Sequence, residues 1–563
     1  MKFLTRMMTM LLILFSGFSG FSGLSVAEGE FDPAEIAIGE RLFLETRFAQ
    51  FFAVHNNGGD TTMDVTETTG TPLPGPFPGQ SMNCAACHLV DQQLDTDGGG
   101  MRTYADFARR SPLQPREDGK THAVRNSPPL VNASLPRKKR PGVKGGVMFH
   151  FDGEFTSLQD LVKATYTGRM AGWLPGEKDE AIRHFAYIIR SDDGQGELAR
   201  EFGGAYAVIL KGTDPSIPEA FRLPEEFRIE VETASDEEIF DAVTRITVAY
   251  VEDLQFSRDE DGNFNLTPYD VFLAKNGLPQ KPAKGESDAH YSQRLSQRIS
   301  RLQNPQYVTQ QDGEFVFHDQ PFVFGPEELA GMKIFFNAAT DGQFGIRKAA
   351  NCITCHQAPN FTDFAVHNTG ITQIEYDTIH GEGAFSTLFI PGLAERRENP
   401  LAYLPATEKH PNAMEPYRAI PDISHPERID LGVWNIYANP DFPKTQIMLS
   451  QLLCEEARKD KNRQPHFYTD TRHHPCAAEN LLDRSIAMFK TPGLRDLEHS
   501  APFMHNGQFD TLEAVIELYR QTAELARNGQ LRNASPDLLD VHIHENDVAP
   551  LAAFLRALNE DYE

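Results

Sequence analysis

The sequence repeats one five-residue pattern, Cys84-Ala85-Ala86-Cys87-His88 and Cys352-Ile353-Thr354-Cys355-His356. The spacing C-x-x-C-H is typical of covalent attachment of c-type haem. Two thiols three residues apart can each bond to one haem vinyl group, and the histidine that follows can bind the iron as its proximal ligand. The pattern predicts two covalently bound haem c groups, with thioether bonds to Cys84, Cys87, Cys352 and Cys355 and with His88 and His356 as axial ligands.

Two other kinds of site use paired cysteines. A zinc ribbon places its two C-x-x-C pairs about 15 to 20 residues apart, whereas these pairs lie in different halves of the chain. A thioredoxin-like redox pair does not explain why a histidine follows both copies. Haem attachment accounts for both observations.

Cys454 and Cys476 lie outside the repeated pattern. An oxidising compartment favours a structural disulfide between two such cysteines. The alternative is a metal site in which His473 and His474 join Cys476 as ligands. We expect the disulfide.

Composition limits the classes of protein and partner. The chain has 563 residues, 80 of them acidic and 53 basic, and a formal net charge of -27. Hydrophobic residues make up 40% of the sequence and aromatic residues 10%, which is enough for large cores and unlike a disordered tail. Because nucleic acid and anionic membrane surfaces are polyanions, the negative charge argues against both as main partners and favours a basic one.

The first 27 residues are predicted to be an export signal. Lys2 and Arg6 form a basic start, Met7 to Phe15 form a short apolar segment, and small residues lead to cleavage after Ala27. No later stretch reaches the ~20 apolar residues of a membrane span. We therefore expect a periplasmic protein whose mature chain has no membrane span. The alternative is an uncleaved N-terminal anchor.

Each haem motif follows a predicted helix. The first helix begins at Asp32 and Pro33, which suit an N-cap and a first turn, and continues to Thr46. Pro326 begins the second, and further helices are predicted over 237–254 and 547–558. Alternating strand patterns are weak throughout, so the sequence predicts a mainly α protein with long loops.

The repeated order of helix, haem motif and long loops predicts two cytochrome c-like haem domains with an extended interdomain insertion. We place the N-terminal domain at 28–324, with the insertion at about 174–324, and the C-terminal domain at 325–563. Within the insertion, the charged segment 278–287 contains glycine and proline and is interpreted as a linker.

Several longer motifs surround the haem sites. They are Phe489-Lys490-Thr491-Pro492-Gly493-Leu494-Arg495, Ala501-Pro502-Phe503-Met504-His505-Asn506-Gly507, Arg125-Asn126-Ser127-Pro128, and Phe361-Thr362-Asp363 with His367-Asn368-Thr369-Gly370. In these motifs the sequence resembles the bacterial di-haem cytochrome c peroxidase and MauG family. The resemblance implies a periplasmic enzyme in which one haem reacts with hydrogen peroxide and the other relays electrons from a small donor protein. It also implies supporting roles near the haems for Arg495 and His505.

The resemblance also suggests the second axial ligand of the haem at His356. In the family this ligand lies fourteen residues after the histidine of the A-P-x-x-H-x-G motif, as methionine in the peroxidases and tyrosine in MauG. Counting from His505 leads to Tyr519, with Met504 as the alternative. A phenolate oxygen favours ferric iron more than a thioether does, so a low potential is expected. Tyr519 is alternatively a packing aromatic on the inner face of its helix.

Three departures from the family pattern affect the mechanism. The tryptophan between the haems corresponds to Phe151, which is far harder to oxidise. The glutamate that assists O–O cleavage corresponds to Ala171, and Glu177 is the nearest substitute. The distal histidine corresponds to Asp118, so we expect an open, five-coordinate first haem. Candidates for its distal side are His122, Met170 and His150.

Two weaker features remain. The family binds calcium between its haems, and the positions that match its ligands are Asn126, Ser500 and Pro502, which offer oxygen atoms to a hard cation. The basic run Arg137-Lys138-Lys139-Arg140 could bind a partner or haem propionates, although a solvated loop is the simpler interpretation.

The leading hypothesis is a periplasmic di-haem oxidoreductase that reduces hydrogen peroxide with electrons from a small cytochrome c or a cupredoxin. One alternative is a MauG-like or haem-oxygenase-like oxidation of an organic or protein substrate, with peroxide or dioxygen as the oxidant. Tyr519 and Ala171 favour that alternative. Another is a non-catalytic di-haem electron carrier with both haems six-coordinate.

Overall fold

A computed structural model describes residues 32–55, 83–84, 87–88, 110–111, 113–138, 145–315, 318–338, 350–459 and 475–561. The predicted export signal lies outside these ranges, and so do His473 and His474. Within the described ranges, no helix combines the length and the apolar character needed to cross a membrane.

The described residues are mostly helical, which confirms the expectation of a mainly α protein. The only paired strands among them are β1 (Val366–His367) and β2 (Phe489–Lys490), which are antiparallel. The helices are α1 (Ala34–Leu44), α2 (Gln50–His55), α3 (Leu158–Tyr166), α4 (Lys178–Ser191), α5 (Glu197–Glu201), α6 (Tyr206–Lys211), α7 (Asp236–Asp253), α8 (Pro268–Lys275), α9 (Asp288–Ser300), α10 (Pro326–Phe335), α11 (Ile371–His380), α12 (Ala384–Thr387), α13 (Leu393–Glu398), α14 (Pro400–Tyr403), α15 (Gln446–Lys459), α16 (Ala478–Arg484), α17 (Leu512–Arg527) and α18 (Val548–Arg556).

All four helices predicted from the sequence are present. They are α1 before the first haem motif, α10 before the second, α7 and α18. Local signals explain their starts: α10 has a proline in its first turn, and Ser235 caps α7 in a reciprocal capping box with Glu238. The predicted disulfide between Cys454 and Cys476 is also confirmed, with 5.0 Å between the Cα atoms.

The helix before each haem motif crosses a partner helix at a glycine. A Cβ atom on Gly39 of α1 would lie 2.6 Å from Cβ of Tyr250 on α7. A Cβ atom on Gly331 of α10 would lie 1.8 Å from the carbonyl oxygen of Pro550 on α18. Only glycine permits such close backbone approach, so both crossings require it. The same packing device thus supports both haem motifs.

The buried apolar side chains form separate cores around the two motifs. The first core extends from Ile38 to Phe264, and Cys84 packs against it. The second extends from Tyr269 to Leu558, and Cys352 packs against it. The change of core thus falls between Phe264 and Tyr269, earlier than the boundary predicted at 324 and 325. The reason is that α8 and α9, inside the predicted insertion, bury their apolar faces in the second core.

A third core is built from residues after the second haem motif. It joins three fully buried residues: Trp434, Val366 of β1, and Leu449, which lies on α15. Met148, from the N-terminal half of the chain, also belongs to this core. This core places β1 and α15 side by side. It therefore positions the polar residues that these two elements carry next to the second motif.

Candidate functional site

The second haem motif forms one tight turn. A 3-10 helix spans Cys352–Thr354, and the backbone N–H of His356 donates to the carbonyl of Cys352 at 2.8 Å. The imidazole is buried, and its Nδ1 lies 3.0 Å from the carbonyl oxygen of Phe361. Because a carbonyl only accepts hydrogen bonds, Nδ1 carries the proton and Nε2 keeps its lone pair for a metal. Burial also lowers the pKa of His356, which favours the neutral ligand form.

Tyr519 lies close to this turn. It stands on α17 and is partly buried against the small apolar cluster that follows that helix. Burial, and after it the neighbouring Cys355 and Cys352 thiols, raise the pKa of Tyr519. Tyr519 therefore lies within electrostatic range of the thiols that would hold the second haem. Met504 is half-buried with a left-handed backbone, φ 72°.

The first haem motif folds in the same way. The N–H groups of Cys87 and His88 both donate to the carbonyl of Cys84, at 3.1 and 2.9 Å. Burial raises the pKa of the Cys84 thiol and of the Cys87 thiol to about 12. Burial also lowers the pKa of His88 to about 4, although a hydrogen bond with the Pro128 backbone acts in the opposite direction. The His88 ring is therefore neutral at pH 7, as an iron ligand must be.

The residues present fit two haem c groups. All four motif cysteines are free thiols, so each can form a thioether bond. Both histidines are neutral, and Nδ1 of His88 is a buried atom without a hydrogen-bond partner. A pair of thiols three apart and a neutral histidine on the same turn is the donor set that haem c requires.

An aromatic cluster joins the two halves of the site. The carbonyl of Phe151 accepts from the N–H of Lys490 at 2.7 Å, which ties this residue to β2. The His505 ring stacks on Phe489 with centroids 3.6 Å apart, and its centroid is 6.5 Å from that of Phe151. Burial lowers the pKa of His505 to about 3, so this ring is neutral.

Arg495 fixes the backbone behind the second motif. Its guanidinium forms two bonds of 2.9 Å with the carboxylate of Asp270 and donates to the carbonyl of Pro359 at 3.1 Å. Both side chains are almost completely buried. Since Pro359 lies three residues after His356, the ion pair positions the segment that carries the ligand.

The candidates for the distal side of the first haem lie at or near the surface. His122 is exposed beside Thr121, and Met170 is exposed on a 3-10 turn. His150 is half-buried, with Nδ1 3.0 Å from a carboxylate oxygen of Glu154. The structure does not bring these three side chains together.

Glu177 is held as a carboxylate. It accepts two bonds from Arg116 at 2.7 and 3.0 Å and one from the backbone N–H of Leu174 at 2.8 Å. These bonds outweigh the effect of burial and lower the pKa of Glu177. An ionised carboxylate cannot donate a proton, so the geometry opposes a role for Glu177 as general acid. Asp118 is similarly paired, with Arg169.

Two of the three predicted calcium ligands are in contact. Nδ2 of Asn126 donates to the carbonyl of Pro502 at 2.6 Å, whereas the Ser500 hydroxyl donates to the carbonyl of Asp496 at 3.0 Å. A calcium ion would need an oxygen atom from Asn126 as well as the carbonyl oxygen of Pro502. The Asn126 amide would therefore have to turn over, so that its oxygen rather than its NH₂ group faces Pro502.

A polar cluster beside Cys355 was not predicted as a site. It contains Asp363 and His367, which the family motifs include, and Glu456 on α15. The sequence did carry a signal for Glu456, because this acidic residue falls in the apolar stripe of α15 with Leu449, Leu452 and Leu453. A carboxylate at such a position needs a buried partner.

Comparisons with known proteins give partial matches. No protein-family model matches the chain. A cytochrome-c peroxidase IdrP2 of Pseudomonas sp. (strain SCT) is 24% identical over 173 residues, which cover 31% of this chain and 28% of that protein. IdrP2 of Denitromonas iodatirespirans is 29% identical over 121 residues, 22% of this chain and 30% of that protein. The methylamine utilization protein MauG of Methylorubrum extorquens is 36% identical over 74 residues, 13% of this chain and 19% of that protein. The chain thus spans less than a third of these relatives.

Two solved structures are similar over most of their length. The diheme peroxidase BthA from Burkholderia thailandensis E264 has a TM-score of 0.42 and 16% identity, and the match covers 96% of this chain and 89% of that one. A MauG-like protein associated with microbial copper homeostasis has a TM-score of 0.40 and 15% identity, with 96% of each chain covered.

Proposed function

We propose that this chain is a periplasmic di-haem c-type oxidoreductase of the di-haem cytochrome c peroxidase and MauG family, which its partial matches to named relatives support, and that it reduces hydrogen peroxide with electrons from a small redox protein. One observation carries the proposal. Two C-x-x-C-H turns of the same geometry each present a neutral histidine beside two free thiols. Covalent haem, when bound, supplies the redox chemistry for the two-electron reduction of peroxide to water.

The two turns are proposed to have different tasks. His356 and Tyr519 would hold the second haem, and a phenolate donor suits storage and relay of oxidising equivalents at low potential. His88 would hold the first haem, whose proposed task is the reaction with peroxide. The aromatic cluster packs Phe151, which follows the first motif in the chain, against His505, which follows the second and stacks on Phe489.

The electron donor is proposed to be a basic small protein, a cytochrome c or a cupredoxin. The net charge of -27 becomes more negative on removal of an export signal that contains Lys2 and Arg6 but no acidic residue. Oppositely charged partners associate faster, and salt slows this association. A calcium ion at Asn126 and Pro502 would tie the two halves of the site together.

The test is peroxide-dependent oxidation of a reduced donor by the purified holoprotein. We expect oxidation of a reduced basic cytochrome c that stops when peroxide is omitted and slows as salt rises. A mutant without the first histidine ligand, His88→Gly, should retain both thioether bonds but lose the activity. If peroxide causes no oxidation of either a basic or an acidic donor, the peroxidase proposal is wrong.

A second candidate is the oxidation of an organic or protein substrate, as in MauG. Two observations favour it: the Tyr519 hydroxyl interacts electrostatically with the thiols of the second motif, and Glu177, the residue expected to substitute for the family's catalytic glutamate, is held ionised by Arg116. Substrate-dependent uptake of dioxygen without added peroxide would distinguish this activity from peroxide reduction. An electron carrier would show neither.

A further inference from the structure

The polar cluster beside the second motif contains a histidine oriented by a carboxylate. His367 lies on β1 and is 5% exposed. Its Nε2 is 2.9 Å from a carboxylate oxygen of Asp363, which is itself buried and also accepts from the Thr491 hydroxyl. The carboxylate accepts the Nε2–H, so Nδ1 is the ring atom that faces away from it. Metal-binding histidines are commonly held by a carboxylate in this way.

Nδ1 of His367 faces a second carboxylate without forming a hydrogen bond. It lies 3.7 Å from Oε2 of Glu456 on α15, which is 3% exposed. Both atoms are buried, and neither has a hydrogen-bond partner. A carboxylate oxygen of Asp537 completes the group, because one ligand atom from each of the three residues lies within 4.8 Å of the others. Two buried, unsatisfied acceptor atoms that face one another are costly, and a cation bound between them would satisfy both.

The spacing of these atoms matches the coordination shell of a small divalent metal. Bonds of about 2.0 to 2.2 Å in a tetrahedral shell place ligand atoms about 3.4 Å apart, close to the 3.7 Å between His367 and Glu456. One imidazole and two carboxylates suit Zn²⁺ better than Ca²⁺ or Mg²⁺, which prefer oxygen atoms alone. We propose that His367, Glu456 and Asp537 bind one Zn²⁺ ion, with water as the fourth ligand.

Two cations compete with the metal for this position. Lys459 bonds to Glu456 at 2.6 Å and to Asp537 at 2.7 Å, but its side chain is 41% exposed and can turn out to solvent. A proton on Nδ1 of His367 is the other competitor. The metal therefore has to displace a partly exposed lysine and one proton, while Asp363 stays in place as the residue that orients the ring.

The site is separate from the proposed function but adjacent to the second haem motif. Sγ of Cys355, Asp363 and His367 also lie within 4.8 Å of one another. A dication this close to a thioether bond of the haem opposes positive charge on the iron, so bound Zn²⁺ raises the reduction potential of the second haem. This shift is a readout that does not require turnover.

The test uses the purified di-haem holoprotein, freed of metal with a chelator and titrated with ZnCl₂ in a calorimeter. We expect one Zn²⁺ per chain in the wild type. Glu456→Gln keeps the shape of the side chain and should weaken binding by at least about tenfold. Glu455→Gln is the matched control, since this neighbouring carboxylate on α15 pairs with Arg137 instead, and its affinity should equal that of the wild type.

Lys459→Met provides a gain-of-binding test that does not depend on a damaged site. Removal of the competing ammonium should tighten Zn²⁺ binding, whereas a site elsewhere on the protein would not respond. The proposal is overturned if the wild type binds no stoichiometric Zn²⁺, or if Glu456→Gln, with unchanged haem content and circular dichroism, binds it as tightly as Glu455→Gln. It is equally overturned if Lys459→Met leaves the affinity unchanged.

Discussion

The ion pair between Asp270 and Arg495 should be essential for the stability of the second haem core. Its two bonds of 2.9 Å connect α8 to the segment behind His356, and the two side chains are only 4% and 2% exposed. Asp270→Asn preserves the shape but removes the charge. It leaves the buried guanidinium with Glu560, at 3.9 Å, as its nearest carboxylate.

The expected loss follows from this geometry. Removal of one partner from a buried ion pair costs about 3 to 5 kcal/mol, because the other charge remains buried and unpaired. The charge of Asp270 is one of the causes that raise the pKa of Glu560, so Asp270→Asn favours ionisation of Glu560 beside Arg495. This partial compensation places Asp270→Asn near the lower limit, about 3 kcal/mol of unfolding free energy. Replacement of both partners by apolar residues removes the unpaired charge. The double variant Asp270→Leu/Arg495→Met should therefore be more stable than the sum of the two single changes predicts.

Urea unfolding of the holoprotein, followed by circular dichroism, measures both effects. Asp312→Asn is the matched control, because its partner Lys275 lies on the same helix as Asp270 but the pair is exposed. This control should lose much less stability than Asp270→Asn, because water and salt screen an exposed ion pair. The reasoning is refuted if Asp270→Asn costs no more than Asp312→Asn, or if the two core substitutions are simply additive.

Three further predictions concern single groups. Burial raises the pKa of Glu560 to about 8 from an ordinary value of 4.5. The folded protein therefore retains a proton on Glu560 that the unfolded chain releases. The free energy of unfolding should fall as the pH rises from 4.5 to about 8, by up to about 1.4 kcal/mol per pH unit. Glu560→Gln should remove this pH dependence. Tyr519→Met should raise the reduction potential of the second haem in a redox titration, because a thioether favours ferrous iron. Replacing Cys454 and Cys476 by serine should cost about 3 kcal/mol of unfolding free energy, since the disulfide closes a loop with a sequence separation of 22 residues.

Each of these predictions has an outcome that contradicts it. An equal pH slope in the wild type and Glu560→Gln would show that another group carries the proton. If Tyr519→Met and Tyr519→Phe both leave the potential unchanged, Tyr519 is a packing residue and does not bind iron. Reduction of the disulfide in the wild type provides the control for the serine variant, and the two should lose the same stability.

Short-range chemistry made much of the site predictable. The C-x-x-C-H spacing places two thiols and a histidine on one turn whatever surrounds it, and the structure forms this turn twice. The helices before the motifs carried proline and capping signals that act within a few residues. The disulfide followed from two unassigned cysteines in a chain predicted to be exported.

The remaining features depend on contacts between distant parts of the chain. Asp270 pairs with Arg495, which lies 225 positions later in the chain, and the sequence around either residue does not indicate its partner. The same holds for Glu456. Its position on an apolar helix face indicates that it is buried, but the sequence does not show that it faces His367. The change of core between Phe264 and Tyr269 is of the same kind, because α9 is polar overall and only its packing shows that Tyr291, Leu295 and Ile299 belong to the second core.

Electron paramagnetic resonance of the resting holoprotein, recorded before and after addition of hydrogen peroxide, tests the central claim most directly. The proposal predicts one high-spin ferric signal, from the open haem at His88, and one low-spin signal, from the haem held between His356 and Tyr519. It also predicts that peroxide removes the high-spin signal. Two low-spin signals that remain unchanged in peroxide would contradict it and would identify the protein as an electron carrier.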